Sequence, residues 1–278
     1  MSRRRELEQH RRKLRELREI MNSMKTLAYL ETHKLTRFLD AQRAATATIE
    51  SVAADFLAFY PETLPEPVEA TEVYLLAGSE RGFCGNFNEA LLQSLTEQPT
   101  SSQPALLIGL GHKLQPLLEK DTRLVALLDG ANVVEEVPTV LNRVVDTLAS
   151  LQTHHPTLTL SAVFHGGEPG QEVTITRLLP PFRHEPQTPR RFPQPPLLNL
   201  PPAEFLLTLA DHYLFAALHG ILYRSLLSEN RRRFQHLDGA VRHLDERAEE
   251  LAHRGNILRQ EEIIEEIEVI LLNAAAPT

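Results

Sequence analysis

The sequence predicts an α/β domain inserted between two long helices that pair with each other as an antiparallel coiled coil. Three observations carry this reading. Apolar residues keep heptad spacing near the N-terminus, the same spacing returns near the C-terminus, and short apolar runs alternate with helical stretches in between. The boundaries fall at 1–60 for the first helix, 70–180 for a Rossmann-like α/β domain, 181–202 for a proline-rich connector and 203–278 for the second helix.

In the first segment, steps alternating three and four visit Leu7, His10, Leu14, Leu17, Met21, Met24, Ala28, Glu31, Leu35, Phe38, Gln42, Ala45, Ile49, Val52, Phe56 and Phe59. Only His10, Glu31 and Gln42 interrupt the apolar seam, no glycine or proline breaks it, and Pro61 closes it. Spacing of this kind over many turns is what a helix needs to insert its seam between the side chains of a partner helix. At 1.5 Å per residue such a helix runs roughly 80 Å.

The last segment, from about Pro202 to Ala275, repeats the alternation with Leu237, Val241, Leu244, Ala248, Leu251, Gly255 and Leu258, and resumes it after a register shift at Ile264, Ile267 and Leu271. Pro201 and Pro202 suit a helix entrance, where a missing N–H costs no intrahelical bond. Gly239 and Gly255 weaken the pattern by about 1 kcal/mol each relative to alanine. Each seam needs a partner, and the chain supplies two. The first helix is rich in arginine (Arg3, Arg4, Arg5, Arg11, Arg12, Arg15, Arg18) and the last in glutamate (Glu246, Glu249, Glu250, Glu261, Glu262, Glu265, Glu266, Glu268). For any individual pair, two solvated faces explain these charges as well as an ion pair does.

Between the helices the period changes. Val73–Ala77, Ala105–Leu110, Leu124–Asp129, Leu158–Phe164 and Val173–Leu179 are short apolar runs, with helical stretches at Glu89–Leu95, His112–Glu119 and Asn132–Leu151. Continuous apolar strands alternating with helices predict a mostly parallel sheet covered on both faces. The connector carries Arg183, Arg190 and Arg191 among its prolines and reads as extended.

Composition narrows the function classes. The 278 residues carry a net charge of -8 and a pI near 5.9, which argues against a dedicated nucleic-acid binder. A single cysteine permits no internal disulfide, which favours a reducing compartment. The charged start at Ser2–Arg5 is no secretory signal, and no run approaches the ~18 apolar residues of a membrane span.

The loop "AGSERGFCGNFN", Ala77–Asn88, follows a strand and precedes a helix, where α/β folds bind phosphate. Its glycines, Gly78, Gly82 and Gly85, fit neither the phosphate-loop nor the dinucleotide spacing, and the pair Gly109 and Gly111 lacks a third. Turn chemistry is the better reading. Cys84 has no histidine nearby in sequence to activate it and reads as a small apolar side chain. The histidines show no metal-ligand spacing, and no cofactor, metal or catalytic constellation is expected.

In order along the chain, three motifs resemble the gamma subunit of rotary F-type ATP synthases. "REIMNSMKTLA" (Arg18–Ala28) is similar to the family's N-terminal helix, with Met24 and Lys25 at a conspicuous spot. "GSERGFCGNFN" resembles the family's Ser-Asp-Arg-Gly-Leu-Cys-Gly-Gly-Phe-Asn signature, with Glu80, Phe83 and Asn86 as substitutions. "SLLSENRRRF" followed by "GNILRQEEIIEEIEVIL" resembles the end of its C-terminal helix, matching Asn256, Arg259, Gln260, Ile263 and Glu266. Gly255, Ile264 and Val269 depart from the family's Tyr, Thr and Glu. With the arginine-rich start, these departures resemble a divergent branch of such ATPases, some proposed to pump sodium ions.

The resemblance implies a central-stalk rotor that is not itself an enzyme. It also implies alpha and beta subunits, the epsilon subunit and the membrane c-ring as partners, and a peripheral location on the cytoplasmic face of the membrane. By the same resemblance Arg259, Gln260 and Glu266 would contact the catalytic ring, as would Met24 and Lys25. The loop of Arg81, Cys84 and Asn86 would meet a partner near that region. The alternative is a stand-alone α/β nucleotide-binding module or enzyme with coiled-coil dimerisation arms.

Overall fold

The computed structural model of the chain describes residues 3–65, 70–97, 105–166, 173–182 and 191–274. Arg183 and Arg190 of the connector lie outside them. The elements in order are α1 (Arg3–Leu57), β1 (Thr71–Ala77), α2 (Phe87–Thr96), β2 (Leu106–Leu110), α3 (Gln115–Leu118), β3 (Leu124–Leu128), α4 (Val137–His154), β4 (Leu158–Phe164), β5 (Thr174–Leu179) and α5 (Pro202–Ala274). Every predicted strand is present, and α2 covers the predicted Glu89–Leu95. The stretch predicted at His112–Glu119 is a 3-10 turn followed by the short α3, and α4 begins at Val137 and ends at His154 where Asn132–Leu151 was expected.

Two compact units divide the chain, one made of Leu30–Arg232 and the other of Met1–Tyr29 with Arg233–Thr278. The larger unit holds a mixed five-stranded sheet in the order β3-β2-β1-β4-β5, parallel except for β5, which pairs antiparallel with β4 on one edge. Alternate residues of each strand point to opposite faces. Val73, Leu75, Ala77, Ile108, Leu160, Ala162 and Phe164 pack with α4, with Leu35 and Leu39 of α1, and with Leu218, Ile221 and Leu222 of α5. On the other face Leu76, Leu107 and Val163 pack with Phe87, Leu91 and Leu95 of α2 and with Leu114 and Leu118. A third cluster joins Phe56 near the end of α1 to Phe182, Leu206 and Leu209, with the Phe56 and Phe205 rings 4.8 Å apart.

α5 contains an 18-residue window apolar enough by composition to cross a membrane, with a mean hydropathy of 1.4; 44% of that window is buried within the chain. Packing against a sheet demands the same apolar character as lipid does.

In the smaller unit the two helices run antiparallel. Arg18 Nε meets Asp245 Oδ1 at 2.8 Å, Lys25 Nζ meets Asp238 Oδ1 at 3.3 Å, and the Tyr29 and Phe234 rings lie 5.9 Å apart. Each advance along α1 is matched by an equal retreat along α5, as antiparallel pairing requires. On α5 the predicted seam holds: Leu237, Val241 and Leu251 are buried, with Leu244, Ala248, Gly255 and Leu258 half-buried.

On α1 the seam needs correcting. One edge is as expected, at Leu7, Leu14, Met21, Ala28, Leu35, Gln42, Ile49 and Phe56. The other edge runs through Arg11, Arg18, Lys25, Thr32, Leu39, Thr46 and Ala53, one residue beyond the predicted positions, leaving His10, Leu17, Phe38, Ala45 and Val52 exposed. From each anchor a three-four and a four-three alternation are both available, and counting apolar residues selects the wrong one. The chain fills the seam instead with the aliphatic stems of Arg18 and Lys25, whose heads reach aspartates on α5. The resumed seam at Ile264, Ile267 and Leu271 is also exposed, at 56%, 51% and 63%. Leu7 approaches Gly255, so among the described residues roughly the last fifteen of α5 have no α1 residue opposite them, about 22 Å of helix.

Candidate functional site

In the larger unit β1 leads to β2 on one side, while the crossover through α4 carries the chain to β4 on the other. The strand order therefore reverses at β1, and the crevice beyond the C-terminal ends of β1 and β4 is where such sheets bind ligands. The loop 78–86 lies there. Gly78 extends the sheet, donating its N–H to Leu110 O at 2.8 Å. A Cβ on Gly78 would fall 2.4 Å from Leu114 Cγ, so no larger residue fits without displacing the core. The next step is fixed to the start of α2. Asn88 Oδ1 accepts from the Ser79 N–H at 2.9 Å, and its Nδ2 donates to Ser79 Oγ at 3.0 Å, both residues being buried. Phe83 and Gly85 then take φ of 64° and 63°, a region a bulky residue rarely adopts.

α5 fills the crevice. Ser225 Oγ donates to Ala77 O at 2.8 Å and Ser228 Oγ to His165 O at 3.2 Å, at the ends of β1 and β4. The Glu229 carboxylate, 3% exposed, accepts from the N–H groups of Arg81 (3.1 Å) and Glu80 (3.3 Å). The Glu80 carboxylate in turn accepts from the N–H groups of Gly130 (2.7 Å) and His112 (2.9 Å), joining the loops after β2 and β3. A carboxylate holding two backbone N–H groups satisfies donors that would otherwise be orphaned.

The predicted site residues divide between the units. Arg81, Cys84 and Asn86 belong to the larger one. Arg81 Nε donates to Asn132 Oδ1 at 2.7 Å, and Asn86 Oδ1 accepts from Arg232 at 3.0 Å, with both residues exposed. Cys84 is buried, its thiol 3.4 Å from Arg81 O and 3.3 Å from Gly82 O, so it shapes the loop from within.

Met24, Lys25, Arg259, Gln260 and Glu266 belong to the smaller unit. Lys25 is turned towards Asp238, while Arg259, Gln260 and Glu266 are exposed towards the far end of α5. Met24, half-buried, lies within an outward stripe of Leu17, Ile20 and Leu27, which are 48%, 58% and 58% exposed. Spacings of three and four put these four on one helix face.

Glu229, Ser225, Ser228 and the pairing role of Asn88 were not anticipated. The signal was there: Ser228 and Glu229 stand three and four residues after Ser225, a polar stripe on the helix that also carries Leu218, Leu222 and Leu226.

A family profile described as ATP synthase matches residues 3–276. The chain belongs to the ATP synthase gamma-subunit family. ATP synthase gamma chains of Clostridium botulinum are among its relatives. That of strain Langeland is 25% identical over 210 residues, covering 74% of this chain and 72% of the relative.

The fold is shared with central-stalk chains of solved enzymes. One is in the central stalk and c-ring of Tetrahymena thermophila mitochondrial ATP synthase, with TM-score 0.57, 16% identity, and 80% of this chain and 99% of that one covered. Another is in the rotor of Euglena gracilis mitochondrial ATP synthase, with TM-score 0.55, 15% identity, and coverage of 94% and 98%. The place of this family member is the central stalk of an F-type enzyme.

Proposed function

We propose that the two helices of the smaller unit form an antiparallel coiled-coil axle turning inside a ring of alpha and beta subunits. The larger unit, a Rossmann-like domain inserted between the helices, meets the epsilon subunit and the membrane c-ring. The chain then sits peripherally on the cytoplasmic face of the membrane and catalyses nothing itself. Rotation presents different faces of the axle to the beta subunits. A contact that differs between their states changes their nucleotide affinities.

One observation carries this reading: the smaller unit leaves apolar side chains uncovered on both of its helices. Leu17, Ile20 and Leu27 do so on α1, and Ile263, Ile264, Ile267, Val269, Ile270 and Leu271 on α5. Contiguous exposed apolar residues mark a surface that another protein covers. Arg259, Gln260 and Glu266 on the same stretch supply polar contacts to a beta subunit. Met24 contributes to the α1 stripe, with Lys25 holding the helix pair behind it. Arg81 and Asn86 offer a second, polar contact from the loop that Cys84 shapes.

Reconstitution with alpha and beta subunits tests the assignment. The full chain should co-elute with the ring, and Arg259→Ala should weaken assembly or the coupling of hydrolysis to rotation while leaving the sheet unit folded. Clear nucleotide turnover by the isolated chain, or assembly and activity untouched by Arg259→Ala together with serine replacements of Leu17, Ile20 and Leu27, would overturn it.

A further inference from the structure

A doubly covered sheet with a reversal of strand order carries a ligand crevice by construction, and in this chain the crevice has an occupant of its own. The Arg81 and Glu80 N–H groups converge on one anionic group, the Glu229 carboxylate, at 3.1 and 3.3 Å. Glu229 is 3% exposed, among the most buried ionisable side chains of the unit, and it reaches the loop from α5, which is remote in sequence. Around it Ser225 and Ser228 bond to backbone carbonyls at the ends of β1 and β4. What remains of the crevice, bounded by Ala77, Gly78, Glu80, Gly130, Ser225 and Glu229, is a cavity of about 20 Å³. That is room for about one water and for no nucleotide.

We propose that Glu229 is an anion supplied in cis to the switch-point crevice, and that its seating latches the loop 78–86 onto α5. The carboxylate stands where a ligand's phosphate or carboxylate would meet the loop N–H groups, so the site is closed to external anions while Glu229 is in place. The loop conformation depends on it. Phe83 is held at a φ of 64°, a backbone state that persists only where surrounding bonds fix it. The Cys84 thiol lies beneath, 3.8 Å from Glu229 O, in the cluster with Phe87 and Leu91. Releasing the latch therefore uncovers Cys84. None of this depends on the central-stalk assignment, and the test uses the isolated full chain.

Cys84 is the single cysteine of the sequence, so its alkylation by iodoacetamide reports on the loop alone. In the native chain alkylation should be slow, because Cys84 is buried. Glu229→Ala removes a charge-assisted pair of hydrogen bonds and should accelerate it by about tenfold or more. Sodium formate returns a carboxylate to the vacated cradle and should slow the alanine variant again, whereas sodium chloride at equal ionic strength should not. Formate should leave the native chain unchanged, because Glu229 already fills the place.

Unchanged alkylation of Glu229→Ala overturns the latch. Acceleration that formate reverses no better than chloride overturns the anion cradle. Should Glu229→Ala lose its cooperative melt, Glu229→Gln keeps the shape without the charge, and the Glu80 and Arg81 amides then carry the test. Their hydrogen exchange should quicken about tenfold relative to the native chain, and equal exchange overturns the proposal.

Discussion

In the unit built on the sheet, Leu75, Phe87 and Phe164 are fully buried, whereas in the helix-pair unit Ile20, Ile264 and Ile270 are more than half exposed. The same residue types serve two purposes. Around the sheet they form two clusters, one on each face, and close packing makes each of them matter to stability. In the helix pair the deeply buried apolar positions are few, among them Ala28, Leu237, Val241 and Leu251, and ion pairs with aliphatic stems supply part of the seam. The first unit encloses a core on each face of its sheet, whereas the second leaves a row of apolar residues exposed.

The largest expected effect breaks or supports that contrast directly. Leu75→Ala should destabilise the sheet unit by about 2–5 kcal/mol in urea unfolding, because the β1 position can collapse only partly around the cavity. Ile20→Ala, of comparable chemistry, should alter the same curve by no more than about 0.5 kcal/mol while weakening co-elution with alpha and beta subunits. Equal losses of stability would dissolve the contrast.

A smaller effect probes the seam of the helix pair. A double-mutant cycle between Lys25 and Asp238 should give a coupling of about 0.2–1 kcal/mol, as for partly exposed pairs, and it should decline with added salt. A larger, salt-insensitive coupling would mean that this seam is as dry as the sheet core.

The smallest effect concerns His219 on α5, stacked 4.7 Å from the Tyr223 ring with its Nε2 buried and unbonded. Burial pushes its imidazole below the ordinary value, so the unfolded chain takes up the proton first. The contribution to stability is present above the unfolded value and is lost as pH falls through the folded one. Thermal melts at about pH 7.5 and about pH 5 should show a loss in acid, and His219→Gln should make that loss smaller. A pH dependence unchanged by the substitution would remove His219 from the account.

Much of the fold was legible in the chain. Val73–Ala77 of β1 and Ala162–Phe164 of β4 are apolar without a break because both faces of the sheet are covered, and such a run reads the same in sequence as in structure. The α5 seam was legible too, since Leu237, Val241 and Leu251 leave little choice of phase. On α1 two phases competed, and Leu17 and Phe38 drew the reading to the outward face because sequence records that a residue is apolar, not what covers it. At the loop, spacing alone dismissed a phosphate cradle, yet it gave no hint that a cradle exists and is filled. Glu229 lies far along the chain from Glu80 and Arg81, and a hydrogen bond across that separation leaves no local pattern.

The sequence by itself therefore determined the elements and their kinds, because hydrophobic period is a property of neighbouring residues. Only the tertiary structure decided which α1 stripe meets α5, where α5 outruns its partner, and what occupies the crevice. Those depend on residues distant in the chain arriving together, with Asp245 taking Arg18 and Glu229 taking the loop amides.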